Sequence, residues 1–99
     1  MSLPAITVPI VPEISRFYGI VVFMFFDETG HVGRPHFHVT YSGRKASIDI
    51  ESLELLSGRL PTAQLRLVRR WAGLHQPELL ENWRRARREE PLERVEPLP

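Results

Sequence analysis

Pro35-His36-Phe37-His38-Val39-Thr40-Tyr41, then Ser42-Gly43, then Arg44-Lys45-Ala46-Ser47-Ile48-Asp49-Ile50-Glu51 is the stretch that decides the fold. Side chains alternate across a strand with a period of two. Phe37, Val39 and Tyr41 therefore take one face, and His36, His38 and Thr40 the other. Further on, Ala46, Ile48 and Ile50 share a face opposite Ser47, Asp49 and Glu51. The glycine between the halves marks a tight turn, so they form an antiparallel hairpin with one apolar and one polar face. Two turns fit. A Ser42-Gly43 turn sets His36 opposite Asp49 and His38 opposite Ser47. A Gly43-Arg44 turn sets His36 opposite Glu51 and His38 opposite Asp49. Either one preserves the faces and puts Asp49 beside a histidine.

Upstream, residues 14–26 are rich in β-branched and aromatic types, which predicts a strand. Both of its parities are apolar, so it reads as a central strand covered on both faces. The second cover would be a partner protein or a second copy. Asp27–Arg34 reads as a loop broken by Gly30 and Gly33. Residues 1–13, with Pro4, Pro9 and Pro12, read as an extended or partly disordered leader.

Downstream, a short strand is expected near residues 54–57. Pro61 suits a first helical turn. Leu65, Leu67, Val68, Trp71, Ala72 and Leu74 then line one side of a helix. Pro77 opens a second helix whose stripe is Leu79, Leu80, Trp83 and Ala86. Both tryptophans lie on these stripes and read as core. Pro91–Pro99 reads as an extended tail anchored by Leu92 and Val95.

The pattern is α+β. An antiparallel sheet of 3–4 strands (about 14–26, 35–41, 45–51 and 54–57) carries two C-terminal helices (about 61–75 and 77–88) on one face. Residues 14–99 make a single domain. The apolar face of the hairpin meets the helices, and the histidine face points away.

Composition narrows the function classes. The absence of cysteine excludes a disulfide framework, a cysteine zinc site and a thiol nucleophile. The longest apolar run, Gly19–Phe26, is too short to span a bilayer, and no secretory signal is visible. These features predict a cytoplasmic protein with no membrane partner. Residues 61–88 hold seven arginines against two glutamates, whereas residues 89–99 hold four glutamates against one arginine. Arg66, Arg69, Arg70, Arg84, Arg85, Arg87 and Arg88 would suit phosphates. With a net charge of +1, they read first as a solvated face neutralised by the acidic tail. His75 ends the first helix, where a cation complements the dipole.

The polar hairpin face is the one constellation that looks like a site. His36, His38 and Asp49 could hold a divalent metal ion, with Glu51 or His31 as a further ligand. As catalytic residues, the same three would serve acid–base chemistry such as metal-free RNA cleavage, one histidine taking a proton and the other giving one. Arg34 and Ser47, beside protonated histidines, would serve anion or nucleic-acid binding. A solvated polar sheet face without chemistry is the plainest alternative.

Ile14-Ser15-Arg16-Phe17-Tyr18-Gly19-Ile20, Pro35-His36-Phe37-His38-Val39, Ile48-Asp49-Ile50, and Leu74-His75 with Leu79-Leu80-Glu81-Asn82-Trp83 together resemble the DUF4160 family, small bacterial proteins of unknown function. The resemblance covers most of residues 12–97, and the Pro-His-Phe-His block is its most diagnostic part. It implies a neighbouring gene for a DUF2442-like protein, in an arrangement like a toxin–antitoxin module. A small protein partner and an RNA-directed or regulatory role follow as expectations. Non-catalytic protein interaction, including homodimerisation through the first strand, is the further alternative. The chain departs from the family pattern at Arg34, where a proline usually stands, and in a longer Asp27–Arg34 loop.

Overall fold

A computed structural model describes residues 12–25 and 33–99. The leader up to residue 11 and the loop residues 26–32, His31 among them, lie outside the described residues. The order is β1 (Glu13–Phe17), β2 (Ile20–Phe23), β3 (His36–Tyr41), β4 (Arg44–Asp49), β5 (Leu55–Gly58), α1 (Thr62–Leu74) and α2 (Gln76–Arg87). The strands form one antiparallel meander in sequence order. The α+β class and both helices stand as the sequence predicts.

The strand count does not. Residues 14–26 were expected as one strand and instead supply two. Tyr18 (φ 50°) and Gly19 (φ 77°) both adopt left-handed backbone, the pair of conformations that turns a hairpin in two residues. Phe17 then pairs with Ile20, and the sheet has five strands rather than three or four. A tyrosine at the first turn position hid this turn, since Asn or Asp is the usual signal there. The central position expected of this stretch belongs to β2 alone. β1 is an edge, and no described element packs on the second face of β2.

The decisive hairpin follows the first of its two registers. Ser42 (φ 48°) and Gly43 (φ 79°) form the turn, Tyr41 pairs with Arg44, His38 with Ser47 and His36 with Asp49.

The helices cover one sheet face. Ile14, Ile20, Val22, Phe37, Val39 and Ile48 from the strands and Ile50 from the turn after β4 meet Val68, Trp71, Ala72 and Leu79 from the helices, all fully buried. Trp71 stands between Phe17 and Phe37, with ring centroids 5.3 and 5.9 Å away, and its indole N–H donates to the Glu96 carbonyl. Both tryptophans are core, as expected.

The tail is extended and docked. Val95 and Leu98 are buried, and the Val95 N–H donates to the Ile14 carbonyl. The Asn82 amide pairs with the backbone of Glu93 in both directions, at 2.8 and 2.9 Å. The tail thereby occupies part of the outer side of β1. Acidic groups do mute some of the helix arginines, as the charge pattern suggested. Arg85 pairs with Glu93 at 3.1 Å, and Arg88 lies 3.8 Å from Glu90.

Candidate functional site

Cross-strand pairing arranges the helix-free face in rows. Arg16, Val21, Thr40 and Lys45 form one row, each paired with the next. Phe23, His38, Ser47 and Ser57 form the second. His36 and Asp49 form a third, nearest α2. Phe25 reaches from beyond β2 to the second row, its ring 4.6 Å from that of His38. The first two rows line a shallow concavity of about 730 Å³.

His38 stands in the middle of this face. Its ring stacks on Phe23 at 5.5 Å and 18°, and Phe25 meets it edge-on. Ser47 Oγ and His38 Nδ1 lie 3.3 Å apart, one donating to the other according to the tautomer. Sequence reasoning placed Ser47 here and missed both phenylalanines. Val21, Phe23 and Phe25 have the period-two signal that marks one face, but the apolar residues between them masked it.

His36 has a different environment. It was expected to point away from the helices, yet it is 1% exposed and its ring lies 5.0 Å from that of Trp83 on α2. Trp83 of the second helix thus covers the first residue of β3. His36 Nδ1 donates to the Arg34 carbonyl at 2.8 Å, which fixes its tautomer, because a carbonyl can only accept. The Arg87 guanidinium also lies over the Trp83 ring, 5.6 Å from its centroid. The rings of His36 and His38 remain neighbours, 5.1 Å apart.

Asp49 is cross-strand from His36, as the register predicts, but its carboxylate serves other groups. Oδ1 accepts the backbone N–H of Glu51 and of Ser52, both at 2.8 Å. Oδ2 accepts Arg34 Nε at 2.6 Å. Burial pushes its pKa upward. The two backbone donors and the Arg34 charge outweigh that and hold the carboxyl below its ordinary value. Asp49 therefore orients the turn after β4 and the arginine rather than an imidazole. Arg34 keeps its side chain 61% exposed while its Nε is held.

These positions bear on each chemistry. Among the described residues no three His, Asp or Glu side chains converge on a metal-sized point. The ligand set His36, His38 and Asp49 is thus not assembled, because Asp49 turns to its own backbone. Of the two histidines, His38 lines the concavity and His36 is buried. The surface groups that do converge are His38, Ser47, Phe23 and Phe25, with Arg16 and Lys45 beside them. His75 sits at the α1–α2 junction, its Nδ1 2.8 Å from Glu78, consistent with a helix-end role. No helix among the described residues is long and apolar enough to cross a membrane.

A family model described as a domain of unknown function, DUF4160, matches residues 19–84. No curated protein and no solved structure matches the chain.

Proposed function

We propose, from the premise that the chain belongs to the DUF4160 family, that it is a non-catalytic interaction component of a bacterial, cytoplasmic toxin–antitoxin-like module, and that its helix-free sheet face binds a small protein partner. One observation carries the reading. Val21, Phe23 and Phe25 are only partly buried, side by side on a face that no described element covers. A sheet face solvated for its own sake would carry polar residues at those positions. Aromatic anchors beside a histidine and hydroxyls are the composition of an interface centre, where a few such side chains supply most of the binding energy. The enclosure of His36 weighs against two-histidine catalysis and in favour of binding.

The DUF2442-like protein implied by the family resemblance is the partner to test first. Co-expression and titration calorimetry should give a complex. Val21→Ser and Phe23→Ser should each weaken it about tenfold or more, at the scale of an interface anchor. Far-UV circular dichroism should stay unchanged. A wild-type protein that does not bind, or variants that bind normally, would sink the proposal.

A second reading has its own observation. The row from Arg16 to Lys45 runs beside the aromatic row, so cations flank rings that can stack. That is the arrangement by which single-stranded RNA is held without base pairing. RNA on this face would show binding to a short oligonucleotide that weakens steeply with salt and is lost in Lys45→Ala and Phe23→Ser together. Salt-independent binding, or none, would remove this reading.

A further inference from the structure

The two edges of the sheet are treated differently. Along β1 the docked tail satisfies the Ile14 carbonyl and ties Arg94 to Glu13 at 2.9 Å. Along β5 no described element lies outside the strand. Its residues are largely exposed, Leu55 among them at 36%. An uncovered edge is a template for another strand.

The backbone directions at this edge follow from its inner partners. The Arg59 N–H donates to the Lys45 carbonyl at 3.0 Å, and the Glu54 carbonyl accepts from the Asp49 N–H at 2.9 Å. Both groups therefore point inward, toward β4. The two groups of a trans peptide point opposite ways, so the Leu55 N–H and the Gly58 C=O face outward. Leu56 is the extra residue of a bulge, since Ser57 pairs with Ser47 and Leu55 with Ile48. That extra residue brings Glu54 and Arg59 to the same sheet face, although their separation is odd. Through these backbone bonds Arg59 adjoins Lys45 and Glu54 adjoins Asp49.

We propose that β5 pairs antiparallel with β5 of a second copy, about a two-fold axis between Leu56 and Ser57. This register sets Leu55 of each copy opposite Gly58 of the other, the two residues that carry these outward groups. It also sets Glu54 of each copy opposite Arg59 of the other, on the same face. Within the chain neither Glu54 nor Arg59 has an ion pair among the described residues. Self-pairing gives each its counter-charge twice over, as a symmetric interface requires. The short, bulged strand keeps the edge from pairing indiscriminately, and the bulge admits this one register. The result is a ten-stranded sheet whose two helix-free faces lie side by side. The dimer does not depend on what those faces bind.

Charge exchange tests it. Sedimentation over a concentration series should show a reversible dimer. Glu54→Arg sets two arginines against each other at both ends of the interface, and Arg59→Glu sets two glutamates. Each single variant should weaken self-association roughly tenfold or more. The double variant E54R/R59E should restore it. A mixture of the two single variants should form a heterodimer, because every opposed pair is then of opposite sign. Amide exchange at Leu55 should slow as concentration rises. Three results would each overturn the proposal: a wild-type monomer at millimolar concentration, a dimer indifferent to both single exchanges, or single variants that do not combine when mixed. Circular dichroism of each variant separates loss of the interface from loss of the fold.

Discussion

His36 and His38 are two residues apart on one strand face, yet their environments assign them different work. Trp83 of the second helix stands against the His36 ring, whereas His38 lines the concavity on the helix-free face. His36→Ala should empty a buried volume beside Trp83 and free the Arg34 carbonyl, costing about 2–4 kcal/mol. His38→Ala loses ring contacts with Phe23 and Phe25 and should cost about 1 kcal/mol or less, at the scale of aromatic pairs. Urea denaturation measures both, and equal losses would refute the assignment. Asp49 makes a second contrast. Asp49→Ala removes the acceptor for two backbone donors and Arg34, and should cost about 1–3 kcal/mol. Asn retains an amide oxygen for the turn, so Asp49→Asn should recover most of that loss. If Asn were as damaging as Ala, the arginine pair and not the turn would be the main role. Ser15 is a simpler case. Its hydroxyl is fully buried and has no hydrogen-bond partner among the described residues, so Ser15→Ala should be neutral or stabilising by the same measurement.

Elements were legible where their signal is local. Pro61 and Pro77 fall at helix starts, and the apolar stripes of Leu65 to Leu74 and Leu79 to Ala86 gave both helices nearly to the residue. The alternation from Phe37 to Ile50 gave the hairpin, both of its faces and two registers, one of them the observed one. The Tyr18-Gly19 turn was not legible, because continuous apolar residues on both sides of it carry no period. Nor was the fate of Asp49. Cross-strand pairing sets which residues are opposite, but the carboxylate's choice of partner depends on the turn that follows β4. The glycines at two strand ends give a test at this scale. Gly43 and Gly58 have nearly the same φ, 79° and 77°. A Cβ at Gly43 meets nothing within 4 Å, so Gly43→Ala carries only the left-handed backbone penalty, about 1–2 kcal/mol. A Cβ at Gly58 would lie 2.0 Å from the Lys45 carbonyl oxygen, where only backbone movement can relieve it. Gly58→Ala should be clearly the more destabilising of the two in thermal unfolding. Similar melting temperatures would show that the β4–β5 pairing is looser than its geometry implies.

At the scale of the whole molecule, the tail ties the two ends of the described chain together, and it does so partly through charge. Glu13 opens β1 and accepts from Arg16 at 2.6 Å and from Arg94 of the tail at 2.9 Å. The Arg16 hydrogen bond, then the Arg94 one, lower its pKa from 4.5 to about 2. Asp49, three strands away on β4, is shifted in the same direction. A carboxylate whose folded pKa lies below its unfolded one stabilises the native state above the unfolded value. That contribution fades as pH falls through the folded value. Stability should therefore hold steady down to about pH 4.5, then decline toward about pH 2 as Glu13 is protonated. Urea midpoints measured across this window would show the decline. Glu13→Gln should lower the plateau and flatten the slope, because the variant has no proton to take up at that site. Asp49→Asn should flatten a separate part of it, and the two effects should add, since β2 and β3 stand between their sites. Added salt should reduce the Glu13 part more, because its partners are exposed whereas Asp49 is buried. A Glu13→Gln profile superimposable on that of the wild type would show that the tail is held without the Glu13–Arg94 pair.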